Sequence, residues 1–504
     1  MKKITFFLLH FLFFGFLANA QQWSWVKNIS YSFNNPSGSC LASDNNSNFY
    51  ESTNFTSSGS CIAKFDGQGN ELWRQYLTGG VVINGITCRS NYVYITGSFS
   101  STLQVGTVNL TSYGGQDAFV ACLTSNGNFV WANNYGGSTN DFGNGICSDI
   151  KGNIYLTGGY SGTANFGTSN LVCHGSSTMF MAKLNSFGNI LLLKTAATQD
   201  TTAYGSNGSK IKTDISGNIF ITGRFSDMLL DTFHVVGYGS YFLCRLDSFG
   251  NTKWVEATGD DYHPSFDFTL DYSGNIILTG EDDWNHGSNT MMQKYNPHGQ
   301  LIWDSGTGCG YWGQWGLKGI ATDGFNSSVV GYGECSYLTN YYQANNNYLL
   351  LAKYDSSGAI IFLDTIAGNA TGESIIRDSN GDFIISGVIE GSLKLGNDLL
   401  STTVRKVFIA KFNTGNSGAV VPNFKNPGEI TIYPNPSAGV FTVRAHTNNS
   451  ETKIYIYDLL GNRILNKVSN NLSSRIDLSN QPKGIYFVEM ISGNEKQTKK
   501  IIIE

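Results

Sequence analysis

The sequence has little charge, little proline and few histidines. Of its 504 residues, 14% are charged, 8 are proline and 7 are histidine, and the formal net charge is -5. Low charge without a dense Lys/Arg run argues against a nucleic-acid partner or a charge-driven membrane partner. The chain is instead rich in glycine, with 59 residues, and in aromatics, at 13%. This composition is typical of many short strands joined by tight turns.

Motifs for metal and nucleophilic chemistry are also missing. None of the nine cysteines forms a C-x-x-C pair, and no histidines have H-x-H or H-E-x-x-H spacing. We therefore predict no metal site and no cofactor. Neither a G-x-S-x-G elbow nor a P-loop is present, so we assign no catalytic residue. The odd cysteine count leaves at least one thiol unpaired, and the others suit either disulfides or buried thiols.

The one long apolar run lies at the N-terminus. Two lysines, Lys2 and Lys3, precede the apolar run Ile4–Leu17, and Ala18-Asn19-Ala20 follows it. This order predicts a signal peptide over residues 1–20 and export of the mature chain. The alternative, a membrane anchor, is disfavoured because the run is short. We expect no transmembrane segment in the mature chain.

A repeated phrase organises the body of the chain. An Asp, a Gly-Asn turn, an apolar stretch and Thr-Gly recur most clearly at Gly152–Gly158, Gly217–Gly223 and Gly274–Gly280. The threonine, or the residue in its place, occurs at positions 52, 96, 157, 222, 279, 330 and 386. These intervals match the size of a four-stranded propeller blade.

A second phrase, Ala-Lys-apolar followed by a Gly turn and an aromatic strand, also occurs seven times in its first half. The aromatic position is filled only six times, by Trp73, Trp131, Leu192, Trp254, Trp303 and Phe362. The segment Trp23–Asn28 resembles the missing strand. We predict that it completes the seventh blade and closes the ring, which removes exposed sheet edges.

These residues resemble a family of seven-bladed repeat proteins whose units read D-x-x-G-N-x-Y-x-T-G followed by D-A-F-V-A-K-L. The stretch Gln116–Leu123 is a near match. The resemblance implies an all-β fold, a seven-bladed β-propeller over residues 21–415, and no particular reaction. We expect a monomer.

The repeat also predicts which end of the propeller binds a ligand. The turns from first to second and from third to fourth strand are short and alike, whereas the other connections are longer and vary, as binding loops do. We place these longer connections at an upper rim. The candidate ligand-binding residues there are Asp261, Tyr262, His263, Trp284, His286, Tyr311, Trp312 and Trp315.

Exposed aromatics beside Asp, Asn and Gln suit a carbohydrate, because a sugar ring stacks on them and polar neighbours bond its hydroxyls. We therefore predict a binding or adhesion module for an extracellular glycan or protein. In the alternative, these aromatics pack between blades. A second alternative is a polysaccharide-degrading glycosidase or lyase that uses the acid pairs Asp260-Asp261 and Asp282-Asp283.

An aspartate recurs at positions 149, 214, 271, 323 and 378. Because each lies just before a Gly turn, we predict that it bonds backbone N–H groups of its own turn and has no catalytic role. A calcium loop at Asp378–Asp382 is disfavoured, since no acidic residue closes a twelve-residue loop.

The C-terminal part is separated from the repeats by a loose linker, residues 416–428. Residues 429–504 predict a small β-sandwich, with half-buried strands separated by Asn-Pro and Gly residues. The residues of this segment that form the motifs described in the next paragraph are Tyr433, Pro434, Asn435, Pro436, Gly439, Tyr457, Asp458, Gly461, Gly484 and Tyr486.

This segment closely resembles the type A C-terminal sorting domain of the type IX secretion system, with Y-P-N-P-x-x-G, Y-D-x-x-G and a shifted form of L-x-x-G-x-Y. The resemblance implies that the secretion machinery recognises residues 429–504. It also implies that the chain passes through the periplasm to become secreted or attached to the outer-membrane surface. The alternative is a second binding sandwich.

Overall fold

The computed structural model describes residues 22–31, 35–56, 59–173, 175–197, 205–259, 265–283, 288–305, 313–335, 348–413, 431–433, 437, 439–444, 452–458, 462–469, 473–492 and 495–503. These residues form strands and turns, which confirms the all-β prediction. In this part of the chain no helix is long and apolar enough to cross a membrane. The chain divides into two compact units, Met1–Ser417 (unit 1) and Gly418–Glu504 (unit 2).

The described residues of unit 1 form seven antiparallel sheets, which we number along the chain. In hydrogen-bonding order, sheet 1 contains β2 (Pro36–Ser43), β3 (Phe49–Phe55), β4 (Gly59–Phe65) and β5 (Glu71–Leu77), and sheet 2 contains β6 (Val82–Arg89), β7 (Tyr92–Val105), β8 (Val108–Thr124) and β9 (Phe129–Gly137), extended by β12 (Thr163–Phe166) and β13 (Ser169–Val172). Sheet 3 contains β10 (Phe142–Ser148), β11 (Ile154–Tyr160), β14 (Thr178–Leu184) and β15 (Ile190–Thr195), sheet 4 contains β16 (Ser206–Thr213), β17 (Ile219–Leu230), β18 (Phe233–Leu246) and β19 (Thr252–Gly259), and sheet 5 contains β20 (Ser265–Leu270), β21 (Ile276–Asp283), β22 (Ser288–Tyr295) and β23 (Leu301–Ser305). Sheet 6 contains β24 (Gly313–Thr322), β25 (Ser327–Cys335), β26 (Tyr348–Tyr354) and β27 (Ile360–Ala367), and sheet 7 contains β28 (Ala370–Arg377), β29 (Phe383–Leu395), β30 (Asp398–Asn413) and β1 (Gln22–Ile29).

The first strands of the seven sheets lie against one another in a closed cycle. Each of β2, β6, β10, β16, β20, β24 and β28 contacts the next, and β28 contacts β2. We call the line that these strands surround the axis. Apolar side chains pack between neighbouring sheets. One buried cluster, for example, joins Met181 of sheet 3 to Phe225 of sheet 4. The arrangement is propeller-like, as the repeat predicts.

The N-terminal strand pairs with the last strand of unit 1. In register, Trp25 lies opposite Lys411 and Ile29 lies opposite Val407. The pairing predicted for Trp23–Asn28 is therefore confirmed. Because β1 covers the edge of β30, the segments from the two ends of unit 1 share one sheet, and the exposed edge of β30 is removed.

The two ends of the sheets differ. We call the end with the turns from first to second and from third to fourth strand the lower end, and the opposite one the upper end. At the upper end, four of the connections from second to third strand are β-hairpins that fold back on the preceding sheet. Their buried apolar side chains are Leu103, Phe166, Met228 and Leu393. One of them, β12–β13, pairs with β9, and another bridges Leu229 to Ala197.

These hairpins correct the expectation that such connections are free binding loops. Their apolar residues are removed from water against the neighbouring sheet, so they are part of the packing. Several connections between successive sheets are also shorter than expected. Only Gly368 and Asn369 join β27 to β28, and residues 78–81 and 138–141 form two others.

Unit 2 contains two antiparallel sheets. One comprises β31 (Thr431–Tyr433), β32 (Val440–Arg444) and β35 (Ser473–Asp477), and the other comprises β34 (Arg463–Ser469), β33 (Thr452–Tyr457), β36 (Gly484–Ser492) and β37 (Glu495–Ile503). Phe441 and Ile476 of the first sheet share one buried cluster with Ile456 and Val488 of the second. The sheets therefore pack as a small β-sandwich.

Candidate functional site

The repeated aspartates lie in the lower turns, where each bonds its own backbone. In the turn after β10, Oδ1 of Asp149 accepts the N–H of Lys151 at 2.8 Å and that of Asn153 at 2.9 Å, and Oδ2 accepts Nδ2 of Asn153 at 2.7 Å. Asp214, Asp271, Asp323 and Asp378 make the corresponding bonds. The structural role predicted for these carboxylates is confirmed.

Lysines of the third strands reach lower-turn aspartates, including Asp44, which makes the corresponding backbone bonds in the turn after β2. The Nζ···Oδ2 distances are 3.8 Å for Lys64–Asp44, 3.0 Å for Lys294–Asp271, 3.7 Å for Lys353–Asp323 and 2.6 Å for Lys411–Asp378. Lys411 is also 3.1 Å from Asp382, so one ammonium pairs with both carboxylates of the segment Asp378–Asp382. Burial lowers the pKa of Lys411, but Asp378 and Asp382 raise it above its ordinary value. The lysine and the aspartate each belong to a repeated phrase of the sequence, but the sequence did not predict that they pair.

The aromatic residues of the fourth strands join each sheet to the next. The indole N–H of Trp131 donates to the carbonyl of Ser186, at 3.0 Å, in the lower turn of the following sheet. Trp25, Trp73, Trp254 and Trp303 make equivalent bonds. Each ring lies over the glycine of that turn. A Cβ added to Gly188 would approach the ring of Trp131 to 2.9 Å, so only glycine fits without displacement.

Most of the candidate rim residues lie outside the described residues. This applies to Asp261, Tyr262, His263, Trp284, His286, Tyr311 and Trp312. The eighth, Trp315, lies in β24 opposite Gly333. The strands on either side of the three undescribed segments, 260–264, 284–287 and 306–312, end at the upper end of sheets 4 to 6. The ligand-binding role of these residues stays a prediction.

Two carboxylates that the sequence did not single out are buried at the upper end of sheet 2. Asp117 is 0% exposed and Asp141 is 1% exposed. A Cβ on Gly136 would lie 2.7 Å from Asp117 and 2.8 Å from Asp141, so the two side chains flank this glycine. Burial raises the pKa of Asp141 to about 6, although hydrogen bonds from the N–H groups of Ser161 and Gly137 lower it. Because both acids bond backbone N–H groups, they hold the rim in shape.

A circuit of polar contacts surrounds the axis. At each junction between neighbouring sheets, a side chain of one first strand bonds or pairs with the next first strand. In cyclic order these contacts are Cys40 Sγ to Asn84 O (3.5 Å), Asn84 Nδ2 to Gly143 O (3.0 Å), Asn144 Nδ2 to Gly208 O (2.9 Å), Lys212 Nζ to Asp267 Oδ1 (3.6 Å), Ile320 N to Asp267 Oδ2 (3.4 Å), Lys318 Nζ to Glu373 Oε1 (2.9 Å) and Leu41 N to Ser374 Oγ (3.2 Å).

Charged side chains from several sheets meet within this circuit. We define the axis cluster as Cys40, Lys210, Lys212, Asp267, Lys318 and Glu373. Burial raises the pKa of the Cys40 thiol. The Lys210 ammonium lowers it, and Glu51, Asp267 and Glu373 raise it further. These groups belong to sheets 1, 4, 5 and 7, so the thiol lies within electrostatic range of side chains across the axis.

One buried acid lies at the junction of sheets 7 and 1. Glu51 is 0% exposed, and its carboxylate accepts hydrogen bonds from Tyr31 and Thr53. Burial raises its pKa to about 7, although these two hydroxyls and Arg74 lower it. The Arg74 guanidinium lies over the Tyr31 ring, 5.0 Å from its centre. Tyr31 lies two residues after the end of β1, so this polar group is part of the closing junction.

The described motif residues of unit 2 are bonded within its own fold. Asp458 accepts the N–H of Asn462 at 2.8 Å, as the lower-turn aspartates of unit 1 do. The Tyr486 hydroxyl donates to the carbonyl of Pro482 at 2.6 Å, and the carbonyl of Gly439 accepts the N–H of Leu478 at 2.7 Å. Tyr433, Tyr457 and Gly484 lie in strands, while Pro434, Asn435, Pro436 and Gly461 lie outside the described residues.

Residues 431–504 match the family model of a secretion system C-terminal sorting domain. The resemblance to a sorting domain found in the sequence is thereby confirmed for residues 431–504. The sorting domain shows that the chain is exported, to a secreted or cell-surface location, and that it interacts with the secretion machinery. No curated protein matches the sequence. The signal peptide predicted over residues 1–20 lies outside the described residues and stays a prediction.

Several solved structures resemble the chain in fold. A streptogramin B lyase has a TM-score of 0.42 at 9% identity, over 77% of this chain and 98% of that one. An intramolecular trans-sialidase from Ruminococcus gnavus has a TM-score of 0.38 at 8% identity, over 76% and 95%. PorZ, a surface component of the type IX secretion system of Porphyromonas gingivalis, has a TM-score of 0.27 at 10% identity, over 92% and 73%. These values carry no argument about ligand or reaction.

Proposed function

We propose that the exported chain is a binding protein whose unit 1 is a closed seven-bladed propeller, with a ligand site that extends from the upper rim to the axis. The observation that carries this proposal is the axis cluster. Polar and charged side chains of five sheets converge there, and a small number of convergent polar groups is a usual feature of a ligand site. The ligand is an extracellular glycan or protein.

The use of the described carboxylates favours binding over catalysis. The lower-turn aspartates bond their own backbone. At the axis, Asp267 and Glu373 each hold a lysine ammonium. A glycosidase needs two carboxyl groups that face the substrate, one of them protonated. Each of these two carboxylates faces a lysine of the protein instead. If the protein is a polysaccharide-degrading enzyme, we expect it to use the rim acids Asp261 and Asp283. Turnover in the test below would indicate this alternative.

The test uses the mature chain, purified and applied to a glycan array, with release of reducing ends measured in parallel. Binding without turnover supports the proposal. Turnover that Asp261→Asn or Asp283→Asn abolishes would replace it by the enzyme. Trp284→Ala and Trp312→Ala should weaken binding. Phe187→Ala and Phe249→Ala are matched controls, because these aromatics are exposed in lower turns and should leave binding unchanged.

The export route has a separate test. Deleting Glu429–Glu504 removes the sorting domain and leaves all seven sheets of unit 1 intact. We expect a folded propeller that accumulates in the periplasm, detected by cell fractionation and by resistance to protease. The same chain on the cell surface would contradict export through this domain.

A further inference from the structure

We propose that the axis cluster binds the carboxylate of a small anionic ligand, such as a sugar acid, and that Lys210 pairs with it. This inference rests on the proposed function, because it names the chemical class of the ligand. It begins from a charge imbalance among described side chains around the axis.

Three ammonium groups of the axis cluster face two carboxylates. Lys212 lies 3.6 Å from Asp267, and Lys318 lies 2.9 Å from Glu373. Lys210 is half-buried, and among the described residues it has neither an ion pair nor a hydrogen bond. An ammonium that has no partner of opposite charge is available to an anion that reaches it, and the contact is a charge-assisted bond.

Lys210 stands where the repeat places small residues. It pairs with Thr222, the threonine of the repeated Thr-Gly, and in three other sheets the residue at that position is a glycine: Gly85, Gly145 and Gly319. A lysine here therefore serves no feature of the repeated fold. The adjacent sheet 5 has Asp267 at this position, and that carboxylate is already used by Lys212 and by the N–H of Ile320.

The charge of the site suits a single negative charge. The three lysines and two acids leave one positive charge, which a carboxylate neutralises. A dianionic phosphate would bring a second negative charge close to Asp267 and Glu373, with a repulsion that the Lys210 ammonium alone does not offset. The Cys40 thiol does not compete for Lys210, because burial raises its pKa and keeps it neutral.

The experiment measures binding of glucuronate, acetate, glucose and glucose 6-phosphate to the mature chain by calorimetry at low salt. We expect glucuronate to bind and glucose not to bind. Lys210→Met should weaken glucuronate binding about tenfold or more, the effect of removing one charge-assisted bond. Lys253→Met, at the lower end of the same sheet, is the matched control and should bind as the parent chain does.

Stability gives an independent readout. Because Lys210 is half-buried and has no ion pair among the described residues, Lys210→Met should keep or raise the melting temperature. A lowered melting temperature would mean that Lys210 stabilises the fold, which would overturn the proposal. It would also be overturned if glucose binds as well as glucuronate, if glucose 6-phosphate binds better, or if neither carboxylate binds. In the last case, continued glycan binding through the rim would leave the proposed function standing.

Discussion

Lysine and acidic residues have different roles at the lower end of unit 1 and at its axis. At the lower end, lysine and aspartate recur at fixed positions and pair within their own sheet. At the axis, the residue paired with the Thr-Gly position changes from sheet to sheet: Cys40, Gly85, Gly145, Lys210, Asp267, Gly319 and Ser374. Repetition therefore marks what the fold needs, and its loss marks where a ligand can be recognised.

The largest effect on the lower end should come from removing β1. Deleting Gln22–Asn28 exposes the edge of β30 and removes the Trp25 ring from the lower turn of sheet 1. We expect a loss of stability greater than any single substitution gives, about 4–5 kcal/mol or more. Thermal unfolding followed by circular dichroism measures it. An unchanged melting curve would show that ring closure contributes nothing.

The next largest effect should come from the buried lower-end lysine of sheet 7. Lys411→Met removes the ammonium that Asp378 and Asp382 share, and breaking a buried pair costs about 3–5 kcal/mol. Urea unfolding measures the change. The matched control is Lys253→Met, whose partner is Asp247 at 2.8 Å and whose side chain is 46% exposed. Because that pair is exposed, it should contribute at most about 1 kcal/mol to stability. Equal losses of unfolding free energy in the two variants would show that burial does not strengthen the Lys411 pair.

The closing junction should make stability depend on pH through Glu51. Its pKa rises from an ordinary 4.5 to about 7 on folding, so between these values the folded state binds more protons than the unfolded one. The stability that this group contributes is complete below pH 4.5 and is lost as the pH rises to 7. The unfolding free energy of Glu51→Gln should therefore rise relative to that of the parent chain by up to about 3 kcal/mol as the pH increases across this range.

The measurement for Glu51 is the difference in unfolding free energy between variant and parent, taken at several pH values. Asp141, whose pKa is raised to about 6, adds a slope of the same sign to both chains. This common slope cancels in the difference. A difference that does not vary with pH would mean that Glu51 does not titrate in this range.

The smallest effect should distinguish packing from backbone strain in the lower turns. Gly188 and Gly152 have φ of 82° and 83°, so alanine strains both alike. A Cβ at Gly188 meets the Trp131 ring at 2.9 Å, whereas at Gly152 nothing lies within 4 Å. We expect Gly188→Ala to cost about 1–3 kcal/mol more than Gly152→Ala. Equal losses in urea unfolding would show that the indole does not depend on this glycine.

Much of the fold follows from the sequence because its signals are local and repeated. The aspartate of each lower turn bonds N–H groups two to four residues further on, so its role is legible in a short window. The missing seventh aromatic strand was recognisable because Trp23–Asn28 resembles the strands around Trp73 and Trp131. Its pairing with β30 confirms this interpretation.

The upper end was less predictable. A variable connection looks the same in sequence whether it is a free loop or a hairpin packed on its neighbour, and Leu103 and Leu393 are buried by residues of the preceding sheet. The candidate rim residues were chosen for their composition alone, and their role still depends on the binding experiment. The pairing of Lys411 with Asp378 was missed, although both residues belong to repeated phrases, because a periodic pattern does not specify which partners meet.

The sequence by itself determined the all-β class, the repeated lower turns, the strand that completes the last sheet of unit 1 and the sorting domain. Each of these depends on contacts between near neighbours or on a pattern that recurs. Only the tertiary structure decided the axis cluster. Lys210, Asp267 and Glu373 are far apart in the chain and belong to no common motif, and they meet because seven first strands close into a cycle around one axis.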